Sequence, residues 1–130
     1  MQNFYSKEMG DVKNLNRFIL VSTDTATRDQ LAALKQWTDS IEKTKLDSNG
    51  NRKINFDIGY ISLENVVLAT GKNFSHRVHL HSGVFADLTY FYEGKSYRTF
   101  SWTYPDYSHP DYINFFNFSR SFLQKKLQQK

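Results

Sequence analysis

Three of the four histidines lie within six residues, in the stretch His76–His81, which reads HRVHLH. Imidazole groups bind transition metals and exchange protons near neutral pH, so this stretch is the first place to look for chemistry. Side chains alternate along a strand, which would put His79 and His81 on one face and His76 on the other. Arg77 shares the face of His79 and would repel a cation. The spacing therefore favours a polar face in solvent over a metal centre.

A two-histidine site is the alternative. His79 and His81 could bind a metal ion, or take part in acid–base chemistry, if a carboxylate reached them from a neighbouring strand. Asp57, Glu64 or Asp87 could supply that carboxylate, and an acid such as Asp87 would do so in a pocket between sheet and helix. Because the sequence does not show that any carboxylate approaches, no metal ion and no other cofactor is predicted.

Other catalytic signatures are incomplete. Cysteine is absent, which excludes disulfides, thiolate zinc sites and cysteine nucleophiles. Gly71-Lys72 resembles the end of a phosphate-binding loop, but Val66 replaces its first glycine and Asn73 replaces its magnesium-binding hydroxyl. No Gly-x-Ser-x-Gly nucleophile elbow occurs. These gaps argue against an enzyme but do not decide the question.

Aromatic residues make up 16% of the chain, and many of them fall between residues 87 and 104. Two adjacent strands that turn at Gly94-Lys95 would place Phe91, Arg98, Phe100 and Trp102 on one face and Tyr90, Tyr92 and Tyr97 on the other. One face would pack on helices, and the other could anchor a protein or stack sugars or bases. The residues predicted to bind a partner are Tyr90, Tyr92, Tyr97, Arg98 and Trp102.

These patterns support one leading hypothesis and two alternatives for function. The leading hypothesis is a non-catalytic protein–protein interaction module, of the inhibitor or assembly-subunit type, that uses an aromatic sheet face or the C-terminal helix. Its partner would be another protein or a second copy of the chain. The first alternative is a small-ligand-binding or enzymatic pocket that uses His79 and His81. The second is weak single-stranded nucleic-acid binding, for which Arg77, Lys95 and Arg98 form only a sparse basic stripe.

Periodicity and capping signals predict the helices that must position these residues. Thr27-Arg-Asp-Gln30 matches a capping box and predicts a helix that ends near Lys45. The apolar stripe of this helix would be Leu31, Leu34, Trp37 and Ile41. A second helix is predicted at Pro110–Gln128, where proline suits the first turn.

The strands are predicted from short apolar or alternating runs between turn residues. A first strand is expected at Asn16–Asp24, before the first helix. The strands after that helix are predicted at 54–63, with a β-bulge at Gly59, and then at Val66–Thr70, Ser75–His81, Ala86–Glu93 and Ser96–Tyr104.

Together these elements predict one α+β domain over residues 1–130, with an N-terminal arm or short helix at 1–14. Its core would be a twisted antiparallel β-sheet of five to six strands packed against two helices, in the order β-α-β(5)-α. That order is shared by proteins of many functions, so it predicts an architecture and no activity.

Composition limits the class of protein and its surroundings. The net charge of +4 is modest, and the longest apolar runs, Phe18–Val21 and Val66–Ala69, are far shorter than the roughly 20 residues that span a bilayer. The chain shows no basic-then-apolar leader. We therefore expect a soluble protein without a membrane span, either cytoplasmic or a processed periplasmic or secreted form.

Overall fold

A computed structural model describes residues 18–51 and 54–129 of the chain. Within these residues, two α-helices flank five strands of one antiparallel sheet. The elements are α1 (Leu31–Thr44), β1 (Gly59–Ile61), β2 (Asn65–Thr70), β3 (Arg77–His81), β4 (Val84–Glu93), β5 (Ser96–Thr99) and α2 (Pro110–Gln128). The predicted α+β class and the antiparallel sheet with two helices are confirmed, and α2 has the predicted bounds.

The longest strand, β4, is the centre of the sheet. One of its edges pairs with β2, which pairs in turn with β1. Its other edge pairs with β3 along the first half and with β5 along the second half. β3 and β5 therefore lie end to end beside β4, and a gap separates them.

Two side chains fill this gap, which we call the notch. Val66 pairs with Tyr90 whereas Val67 pairs with Leu88, so Thr89 is the extra residue of a β-bulge in β4. The indole Nε1 of Trp102 donates a hydrogen bond of 2.7 Å to the carbonyl of Leu88. The hydroxyl of Thr103 donates to the carbonyl of Thr89 at 2.8 Å. The notch thus closes without a strand, because side chains satisfy backbone oxygens that would otherwise lack partners.

The two helices cover opposite faces of the sheet. Val66 and Leu68 of β2 belong to one core cluster with α2, and the alternate residues Val67 and Ala69 belong to another with α1. Both faces of β2 are therefore buried, which explains why it reads as a continuous apolar run. The described residues form three layers, helix on sheet on helix.

The strand predicted at Asn16–Asp24 is wrong for its described part, residues 18–24, which pair with no strand. Ile19 and Val21 pack against the α2-side core, whereas Phe18 and Leu20 are exposed. Alternating apolar residues suit any extended segment that lies on a core, with or without a neighbouring strand. Residues 16–17 and the arm predicted at 1–14 lie outside the described residues.

The predicted capping box starts a 3₁₀ turn at Arg28–Gln30, and α1 follows it from Leu31 and buries a different side than predicted. The capping box of Thr27 and Gln30 is present. Trp37, predicted in the apolar stripe, is exposed, while Thr38 and Glu42 are buried. The Glu42 carboxylate accepts a 2.7 Å hydrogen bond from the backbone amide of Phe56, so its burial is compensated. Periodicity could not show this, because a charged residue is not expected in a core.

The predicted bulge at Gly59 is wrong, since Gly59 pairs regularly with Leu68 at the start of β1. Its residue type reflects a close approach, because a Cβ there would lie 2.4 Å from the carbonyl oxygen of Val67. The ladder of β1 is also shorter than the predicted 54–63 run. β5 ends at Thr99 rather than Tyr104, since the chain turns to bring Trp102 into the notch.

Candidate functional site: a charged cleft beside the sheet

The tyrosine face that the sequence analysis assigned to a partner is the core face under α2. Tyr90 and Tyr97 are 0% and 1% exposed, and their hydroxyls donate 2.6 Å hydrogen bonds to the carbonyls of Tyr107 and Ser62. Burial raises the pKa of both phenols. Tyr92 is half-buried, with the guanidinium carbon of Arg120 3.4 Å from its ring centre. The rings of Tyr90 and Tyr97 are therefore part of the core beneath α2 and are not accessible at the surface.

The other two residues predicted to bind a partner lie nearer the surface. Arg98 is exposed, and its Nε donates to the carbonyl of Glu93. Trp102 is 39% exposed and stacks between the rings of Phe100, at 4.5 Å, and His76, at 5.0 Å. Together with its hydrogen bond in the notch, this stacking gives Trp102 a structural role.

The predicted two-histidine pair does not form around Asp87. His79 is exposed and contacts the ring of Phe85, and His81 lies 3.1 Å from the Ser82 hydroxyl. In the described part of the chain, no group of three His, Asp or Glu side chains is arranged to hold a metal ion. The partners of Asp87 are two other side chains.

Asp87 joins Arg77 and His76 in a half-hidden cluster. Arg77 Nε donates a 2.9 Å hydrogen bond to Asp87 Oδ2, and His76 Nε2 lies 3.2 Å from the same oxygen. Arg77 Nη1 donates to the carbonyl of Lys72 at 3.0 Å. Because Asp87, Arg77 and His76 are each only 12–13% exposed, their geometry is held by the protein more than by solvent.

A bulge creates this cluster, and sequence reasoning missed it. The Ser82-Gly83 turn, with positive φ at both residues, would set Asp87 opposite Val78 in a regular hairpin. The ladder slips by one residue between His79 and His81, and this brings Arg77 opposite Asp87. A register shift of one residue moves a side chain to the other face of the sheet, and no residue type in the hairpin indicates this shift.

The cluster borders a cleft of about 720 Å³ at the ends of β2 and α1. Its wall includes Lys35, Asp39, Glu42 and Lys43 of α1, Asn55 and Asp57 before β1, Thr70, Gly71 and Lys72 after β2, Arg77, Asp87, and the segment Tyr104–Tyr107. This volume is in the range of small-molecule sites, and charged side chains of both signs contribute to a wall that also has apolar surface.

The acidic side chains of the cleft are already engaged. Asp39 pairs with Lys35 at 2.9 Å, and Glu42 and Asp87 have the partners given above. Asp57 and Asp106 make further contacts within the chain. In contrast, the ammonium groups of Lys43 and Lys72 have no hydrogen-bonding or ionic partner in residues 18–51 or 54–129. The same is true of Arg77 Nη2. The charged side-chain groups of the wall that have no partner among the described residues are therefore cationic.

The fold and the cleft define a small α+β protein with helix–sheet–helix layers and a charged site beside the end of its most buried strand. The chain belongs to the protein family described as Domain of unknown function (DUF4416), which matches residues 1–122. The matched range contains every residue that lines the cleft. Comparison with curated proteins and with solved structures gave no match. Among the described residues, no helix is both long and apolar enough to cross a membrane.

Proposed function

We propose that this chain is a binding protein for a small polar ligand, which it holds in the cleft between β2, α1 and the segment 104–107. The observation that carries the proposal is the cleft itself. It has the volume of a small-molecule site, and hydrogen bonds within the chain hold polar groups of its wall in place. It takes up the pocket hypothesis of the sequence analysis, with Arg77 and Asp87 in place of His79 and His81.

The aromatic excess no longer argues against a pocket. It had favoured a protein–protein interface because no catalytic set was recognisable. Tyr90, Tyr97, Tyr107 and Phe116 form much of the core under α2, so packing accounts for them.

A blocking substitution at Gly71 tests the proposal. A Cβ added at Gly71 would meet no atom within 4 Å, although the residue lines the cleft. Gly71→Tyr should therefore fold and fill the cleft, while Gly71→Ala is the matched control. We expect ligand-observed NMR with a panel of sugars, sugar phosphates, carboxylates, amines and nucleosides to find compounds that bind the wild type and Gly71→Ala but not Gly71→Tyr. A panel without binders, or binding that Gly71→Tyr leaves intact, would contradict the proposal.

A protein–protein interface is the second candidate, at a different place from the tyrosine face. β3 is an edge strand, and no described strand pairs with its outer side. Val78 and, just before the strand, Phe74 are 67% and 65% exposed, and Leu80 is also exposed. Long exposed apolar edges invite pairing with another strand.

A second copy of the chain is the partner that this edge fits best. If two β3 strands pair antiparallel about His79, Val78 of each copy lies opposite Leu80 of the other, so exposed apolar residues become cross-strand neighbours. Light scattering after size-exclusion chromatography should show a concentration-dependent dimer that Val78→Lys abolishes and Trp37→Lys, an exposed control on α1, leaves intact. A monomer at all concentrations would rule out this pairing.

A further inference from the structure

We infer that the ligand of the cleft carries an oxyanion group, a phosphate or a carboxylate, which binds between Arg77 and Lys72. This inference rests on the proposed function and names the chemistry of the ligand. It follows from which groups of the wall are fixed, which are free and how they are charged.

The guanidinium of Arg77 is positioned before any ligand arrives. Its Nε is bonded to Asp87 and its Nη1 to the carbonyl of Lys72, whereas Nη2 has no hydrogen-bonding partner in the described chain. Two of the three nitrogens therefore fix the plane of the group, and the third can donate into the cleft. A fixed donor loses little side-chain entropy when it binds an anion, which favours affinity.

Lys72 brings a second cation to the same place. Its backbone oxygen holds Arg77, so the two residues are neighbours through a direct hydrogen bond. Its backbone amide donates to the Thr70 hydroxyl, which shapes the turn after β2. The side chain is exposed, and its ammonium group has no ionic partner among the described residues. Lys43 adds a second ammonium group without a partner among the described residues, on the α1 side of the cleft.

The acidic groups of the wall do not reverse this preference. Asp87 faces Arg77 and His76, Asp39 faces Lys35, and Glu42 accepts from a backbone amide. Asp57 and Asp106 also have interactions within the chain. A cationic ligand would have to displace these partners to reach the carboxylates. An anion can bind cationic groups that have no partner among the described residues. A bare ion would also leave most of the 720 Å³ unfilled, so the oxyanion belongs to a larger molecule.

The test titrates inorganic phosphate and malonate into the ¹⁵N-labelled chain at constant ionic strength. Both anions should shift the amide signals of residues 70–73 and 77, and the stronger binder identifies the phosphate or the carboxylate source. Lys72→Gln changes a side chain without a partner, so it should fold normally and raise the Kd about tenfold, as expected for the loss of one charge-assisted contact. Arg77→Lys keeps the charge but cannot replace both fixed bonds, and it should weaken binding similarly. Arg98→Gln, at an exposed arginine outside the cleft, is the control and should not change the Kd.

Two negative results have separate meanings. If compounds without an oxyanion bind in a way that Gly71→Tyr blocks, and neither anion binds, the inference is overturned and the proposed function stands. If nothing binds in the cleft, both fall. Anion binding that Arg98→Gln weakens as much as Lys72→Gln would reflect general charge and would also overturn the inference.

Discussion

At the scale of single residues, two phenols tie the α2 side of the core together. The hydroxyl of Tyr90 reaches the carbonyl of Tyr107, just before α2, and that of Tyr97 reaches the carbonyl of Ser62, between β1 and β2. Each links a strand to a segment far along the chain. Neither bond can form if the phenol loses its proton, because a phenolate has no hydrogen to donate.

The free energy of unfolding should therefore decrease as the pH rises into the alkaline range. Burial raises the pKa of Tyr90 and Tyr97 in the folded state, so the unfolded state loses these protons first. The stabilisation is complete below the unfolded pKa near 10 and is lost as pH rises above it, by about 1.4 kcal/mol per pH unit for each tyrosine. Urea unfolding between pH 8 and pH 11 (roughly the window set by that unfolded pKa) measures this slope.

Phenylalanine variants separate this effect from other alkaline effects. Tyr97→Phe should cost about 1–3 kcal/mol at neutral pH, because the carbonyl of Ser62 loses its donor, and should reduce the alkaline slope. Tyr104→Phe changes an exposed ring and should leave both quantities unchanged. An unchanged slope in a Tyr90→Phe, Tyr97→Phe double variant would contradict the explanation.

At the scale of elements, the sequence predicts most where local signals decide the structure. The capping box of Thr27, the proline start of α2 and the turn at Gly94 are chemical signals within a few residues, and each element they mark is present. Phe91 and Arg98 share a face as predicted, because that register depends only on the turn. α1 and the hairpin of β4 and β5 are local structures in this sense.

The sequence predicts less where a distant contact decides. The exposure of Trp37, the burial of Glu42 and the register slip that forms the Asp87 cluster all depend on what packs against the element. The candidate site was missed for the same reason, since its wall comes from six separate segments. Asp87 was singled out from the sequence with the wrong partners, whereas Arg77 and Lys72 were considered only in a sparse basic stripe and an incomplete phosphate loop.

The pairing of β1 with β2 gives a prediction at this scale. Gly59→Ala would place a methyl group against the Val67 carbonyl, so β1 must shift, and we expect a loss of about 2–4 kcal/mol in the free energy of unfolding. Gly71→Ala, just after the end of β2, meets open space and should leave stability unchanged or raise it by up to about 1 kcal/mol. Equal stability of the two variants in chemical denaturation would show that the close approach is absent.

At the scale of the whole molecule, the two strands beside the second edge of β4 have unequal support. Asn117 of α2 accepts a 2.9 Å hydrogen bond from the amide of Tyr97 and donates to the Ser96 hydroxyl, so β5 is tied to a helix. β3 is exposed along Val78–His81 and pairs only with β4 among the described strands. The sheet is therefore firm on the β5 side and lightly held on the β3 side.

Amide hydrogen exchange should show this difference directly. We expect the hydrogen-bonded amides of β3 to exchange faster than those of β5, because local opening of β3 breaks fewer buried contacts. Asn117→Ala should speed exchange in β5 and leave β3 unchanged. Equal protection of both strands in the wild type would contradict this account.

The notch between β3 and β5 limits how far local opening can spread through the sheet. Because no backbone ladder crosses it, fraying of the β3 hairpin can stop at Trp102 without peeling the rest of the sheet from its helices. Arg77 lies on that hairpin and Lys72 lies just outside it. A ligand that contacts both residues would therefore hold the β3 hairpin against the rest of the sheet. Ligand binding in the cleft would then slow the local opening of the hairpin at its turn, Ser82-Gly83, although this turn does not contact the ligand.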